Sequence, residues 1–139
     1  MIAHSILTPV LALIIWTLII WCWMYATRIP AMKKAEIDPQ AAVHPGSLTS
    51  LPSETRVVAD NYNHLHEQPV IFYALAVYSH LVGVADPLNI WLAWAYVGLR
   101  AAHSLAQIVL RRVIVRFSLF AISSLVLVVM ALRNLWALF

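Results

Sequence analysis

The sequence predicts an all-α integral membrane protein, a single domain built as a four-helix bundle. Three observations carry this. Hydrophobic residues make up 63% of the 139-residue chain, against roughly 45–50% in soluble domains, and mean hydropathy is +0.82. Only 11% of residues are charged, too few to clothe a soluble surface. The apolar residues also fall into four long runs, each sufficient for a helix that crosses about 30 Å of hydrocarbon.

The first span is expected over Ser5–Ala26, about 33 Å as helix. No Lys or Arg precedes it and it contains Trp16, Trp21 and Trp23, so it reads as a retained anchor rather than a signal peptide. Residues 28–55 hold Pro30, Pro39, Pro45, Pro52 and Gly46 and read as a loop with short helical turns. Ser53, Thr55 and Arg56 mark the start of a second helix, whose span is expected over 56–85. Asp86-Pro87 suits an N-cap and first helical position, opening a third span over 88–110. Arg111-Arg112 forms a basic turn into the fourth span, 114–135.

Charge position sets an orientation. Arg28, Lys33, Lys34 and Arg56 lie on or beside the first loop, and Arg111, Arg112 and Arg116 lie around the third link. All seven share one side, which the positive-inside rule makes cytoplasmic, with both termini opposite. In a bacterium this is the inner membrane. Topology thus explains the net charge of +3, and no nucleic-acid partner is expected. The one cysteine, Cys22, sits in the first apolar run and leaves no intrachain disulfide.

The stretch ADNYNHLHEQP, residues 59–69, is too polar for a lipid-facing segment. Asp60, Asn63 or His64, and Glu67 recur at helical spacing and form one stripe. Arg100, His103 and Gln107 form another on the third span. A charge near mid-bilayer costs at least about 2.5–3.5 kcal/mol and demands an interior partner. On continuous helices Glu67 lies about 28 Å and Arg100 about 21 Å from the Asp86 turn. That offset of about 7 Å predicts a Glu67–Arg100 pair. A structural ion pair that only sets helix register is the alternative for Arg100.

Other chemistries fit less well. His64 and His66 are two apart and face nearly opposite ways, so no metal is expected. Ser104 beside His103 lacks a third member at helical spacing. The tryptophans, with Tyr25 and Tyr96, suit lipid or interface anchoring.

The segments RVVADNYNHLHEQPVIFYAL, GLRAAHSLAQ and VRF together resemble the MAPEG superfamily, membrane-associated proteins of eicosanoid and glutathione metabolism. The DN-x-x-x-L-x-E-x-P pattern is similar to that of its bacterial branch, and the resemblance covers Arg56 to Phe120. It implies a homotrimer with glutathione sites between subunits, opening toward the cytoplasm. Carried over by position, it implies that Asn63, Glu67, Arg100, His103 and Gln107 hold glutathione and that Arg116 stabilises its thiolate. Two departures stand out. Gln107 and Phe120 occupy places where the family often has tyrosine, and His66 rather than Glu67 stands three residues after Asn63.

The implied activity is a glutathione-dependent membrane transferase or peroxidase. Its cosubstrate would be a hydrophobic electrophile or lipid peroxide that enters from the membrane lipids. The alternative is a non-catalytic four-helix protein that binds glutathione or a lipid.

Overall fold

A computed structural model describes residues 5–44 and 46–139. Residues 1–4, and with them Pro45 of the expected loop, lie outside the described residues. The described residues form helices and turns without strands. In order these are α1 (Leu7–Lys34), a 3₁₀ turn (Pro39–Ala41), α2 (Ser53–His64), α3 (Gln68–Leu81), α4 (Pro87–Leu105) and α5 (Val113–Trp136). A π-helical segment (Ala106–Leu110) continues α4.

The 28 residues of α1 run past Ala26 and end on Lys33 and Lys34, cations that favour a helix C-terminus. At the start of α4, the Asp86 side chain accepts from the Asn89 N–H at 2.8 Å and Pro87 follows, as their order in the sequence predicts.

α1 and α5 are long and apolar enough to cross a membrane. Only 22% and 17% of their most apolar 18-residue windows are buried within the chain. A core helix of a soluble protein would be mostly covered. Here the outer faces, with Leu11, Ile15, Leu18, Leu125 and Val128 among them, are left for lipid or other subunits.

The second helix departs from expectation. Residues 56–85 were expected as one span; the chain instead breaks at Leu65–Glu67 into α2 and α3. Pro69 is the cause: it has no N–H to donate to the Leu65 carbonyl and its ring collides with that turn. The backbone tightens as it approaches the break, with His66 N–H on the Asn63 carbonyl (2.9 Å) and Glu67 N–H on the His64 carbonyl (3.3 Å). It restarts with Pro69 in the first turn of α3, where a missing N–H costs nothing.

Two apolar clusters hold the helices together. One joins Ile6 and Leu13 of the α1 end to Phe72, Ala76, Ala93, Tyr96, Leu127 and Met130. The other joins Ile20 and Met24 to Val58, Leu65 and Ile108, near the basic links. Buried and half-buried polar side chains stitch across them. Trp16 Nε1 donates to Ser104 Oγ (3.2 Å), Gln68 Nε2 to Ser124 Oγ (2.7 Å), and Ser79 Oγ to Asn134 Oδ1 (3.0 Å). Such bonds replace part of the hydrophobic drive that helices lack in lipid.

Candidate functional site

The helix break sits beside a polar cavity of about 460 Å³, within the roughly 300–1,000 Å³ of small-molecule sites. Asp60 and His64 of α2 and Glu67 of the break form one wall. His103 and Gln107 form the second, and Val113, Arg116, Phe117 and Phe120 of α5 the third. The cavity lies at the end of the bundle that carries Arg111 and Arg112.

Local backbone chemistry explains how these residues converge. Asp60, His64 and Glu67 share a helical face through the last turn of α2. The π segment carries an extra residue per turn, which changes the direction of residues beyond Leu105. Gln107 is thereby buried, and its Oε1 accepts from Asn61 Nδ2 at 3.0 Å. Arg111, with a left-handed φ of 54°, ends the segment and turns the chain into α5. Its guanidinium pairs with Glu54 at 3.3 Å, joining the α4–α5 turn to the start of α2.

The expected Glu67–Arg100 pair is not formed. Glu67 is exposed and its Oε2 lies 2.7 Å from His64 Nδ1. The helical arithmetic behind the expectation assumed an unbroken helix. Glu67 instead has φ −90° and ψ −98°, outside helical geometry, so α3 does not continue the axis of α2 and a distance counted from the Asp86 turn does not carry across it. Arg100 is fully buried behind the cavity wall and makes no ion pair among the described residues. Its Nη2 donates to the His64 carbonyl at 3.5 Å, and its guanidinium carbon lies 5.6 Å from the Phe120 ring centre. Nε and Nη1 have no partner among the described residues. A buried guanidinium with two unused donors is costly, which marks the position as one retained for more than packing.

Other expected residues divide plainly. His103 is buried on the cavity wall and Arg116 is half-buried on it. Asn63 is exposed and outside the lining. Asn61, two residues earlier and about 200° round the helix, is the buried asparagine. Its place in the DN pattern, rather than any spacing to an acid, was the signal for it. His66 also turns away, with Nδ1 at 2.8 Å from the Tyr62 carbonyl and its ring edge-on to Tyr62. Three rings gather at the cavity. His64 lies 4.9 Å from His103 and 5.6 Å from Phe120, centre to centre. No group of three or more His, Cys, Asp or Glu among the described residues could hold a metal ion.

Fold and site thus define an all-helical protein with membrane-length apolar helices and a charged cavity at one end of the bundle. Residues 6–136 match the sequence profile of the MAPEG family, and the chain belongs to that family. It is therefore a membrane-associated protein of the class concerned with glutathione and eicosanoids. No curated protein and no solved structure matches the chain.

Proposed function

We propose that the protein is a glutathione-dependent membrane transferase or peroxidase that acts on hydrophobic electrophiles or lipid peroxides, with Arg116 stabilising the glutathione thiolate. The observation that carries this reading is the single cavity in which Asp60, His103, Gln107 and Arg116 converge. Glutathione presents two carboxylates, an ammonium, amides and a thiol. Arg116 suits an anion through its forked donors. Asp60 suits the ammonium, because Glu67 is already engaged by His64. Gln107 and His103 offer polar contacts to the peptide. Arg100 adds a fixed positive field from behind the wall. A thiol has a pKa of about 8.5, and lowering it by two units needs about 2.7 kcal/mol of preferential thiolate stabilisation.

In this reading the chain works as a homotrimer in the bacterial inner membrane, with the basic links cytoplasmic. Asn63, outward on α2, is then a candidate for contact with a neighbouring subunit rather than with glutathione inside one chain. The electrophile enters from the bilayer past Phe117 and Val113, both exposed on the cavity rim.

A second reading, a binder without turnover, is favoured by one observation. Neither Gln107 nor Phe120 supplies a phenol, and Gln107 is tied to Asn61. Titrating the purified protein with glutathione separates the two. Thermal stabilisation with thiolate absorbance, lost in Arg116→Ala, supports the enzyme; turnover of a chloronitrobenzene or lipid hydroperoxide completes the case. Stabilisation without thiolate supports the binder. Neither effect would sink both.

A further inference from the structure

We infer that His64 and Glu67 form a carboxylate–imidazole dyad in which His64 is the base that takes the glutathione thiol proton. This rests on the glutathione reading above and adds the destination of the proton. A carboxylate only accepts hydrogen bonds, so the 2.7 Å contact to Glu67 Oε2 places the hydrogen on His64 Nδ1. Nε2 is then left with its lone pair. It makes no hydrogen bond within the described residues, and the ring lines the cavity. Contacts with the His103 and Phe120 rings hold the imidazole at that wall.

The dyad is local. His64 and Glu67 are three residues apart, and the last turn, with Glu67 N–H on the His64 carbonyl at 3.3 Å, sets the two side chains next to each other ahead of the break. The Arg100 donor on the His64 carbonyl fixes the backbone of the same residue. The charged and titratable groups facing the ring are Asp60 and Glu67 from its own wall, Arg100 and His103 from α4, and Arg116 from α5. The step is a proton transfer alone. The S–H bond breaks, its electron pair stays on sulfur beside Arg116, and an N–H bond forms on Nε2. The Glu67 carboxylate balances the imidazolium, and nothing is oxidised. His64 is thus a catalytic residue and Glu67 a positioning residue.

A surface i,i+3 ion pair without such a role would leave thiolate chemistry untouched, which makes the proposal testable. The full chain in detergent micelles, with His64→Gln and Glu67→Gln, is titrated with glutathione in weakly buffered solution. Thermal stabilisation, thiolate absorbance and protons released to an indicator dye are followed together. Glutathione should stabilise all three proteins. Wild type should form thiolate while keeping the proton. His64→Gln should lower turnover of a lipid hydroperoxide about 100-fold, and any thiolate it forms should release a proton to the medium. Glu67→Gln, exposed and shape-preserving, should lose about tenfold and release protons likewise. Thiolate formed at the wild-type level with the proton still retained, in either variant, overturns the dyad while leaving glutathione binding intact. So does loss of glutathione stabilisation in a folded variant, which would make the pair a binding element. A wild type that glutathione does not stabilise overturns the parent reading, and the dyad with it.

Discussion

Arg100→Met should make the protein more stable and a poorer site. The side chain is fully buried, with two donor nitrogens unpartnered among the described residues. An unsatisfied buried donor costs about 1–3 kcal/mol, more on a charged group. Against this stand a long 3.5 Å bond to the His64 carbonyl and a contact with Phe120 at 5.6 Å. At that length the bond contributes about 0.5 kcal/mol and the ring contact about 1–2 kcal/mol. Methionine fills similar volume without charge, and replacing buried charges by apolar side chains is often stabilising by about 1–4 kcal/mol. The balance is a gain of about 1–3 kcal/mol, or roughly 3–5 °C in Tm per kcal/mol for a chain this long. Thermal unfolding in micelles without glutathione measures it. The same variant should show weaker glutathione stabilisation, because the positive field behind the wall is gone. A ligand-free Tm lower than wild type by several degrees would refute the reasoning, since it would mean that the two donors are satisfied in the native protein.

Four further outcomes are expected. Arg116→Ala should keep glutathione binding but lose thiolate and about 100-fold in turnover, the equivalent of 2.7 kcal/mol, read by absorbance and steady-state kinetics. Pro69→Ala should restore the missing backbone bond and extend helix across residues 65–67, seen as a rise in circular dichroism helicity, while glutathione affinity falls as the α2 wall of the cavity shifts against α4 and α5. Gln107→Leu should cost about 1–3 kcal/mol by stranding the buried Asn61 amide, and adding Asn61→Leu should recover most of that in a thermal-shift double-mutant cycle. Glu54, ahead of the expected second span, has its carboxyl held below the usual range, first by its own backbone N–H and then by Arg111. Its contribution is therefore present above the unfolded carboxyl value and lost as pH falls through the lower folded value, so Glu54→Gln should flatten the acid side of the stability profile.

How much of this could be read in advance differs by residue. The Asp86-Pro87 helix start was legible because capping is a contact within four residues. The stripe of Asp60, His64 and Glu67 was legible because helical periodicity places them on one face. Pro69 was visible too, yet its weight depends on whether neighbours can satisfy a broken turn, and the Arg100 donor that reaches the His64 carbonyl comes from 36 residues away. The Glu67–Arg100 expectation failed at that point: it extrapolated 1.5 Å per residue through a break. Asn63 was the asparagine expected at the site, and the rotation of α2 against the π segment instead made Asn61 the partner of Gln107.

Composition, hydropathy and the position of basic residues by themselves determined a helical membrane protein, and the DN-x-x-x-L-x-E-x-P and Arg-x-x-His segments its family. These are properties of residues or of short windows, so no folded contact is needed to read them. The tertiary structure alone decided that Arg100 is buried without an ion pair among the described residues, and that Gln107 is held by Asn61. Each depends on the angle at which one helix meets another, and in this chain a proline and a π turn set those angles.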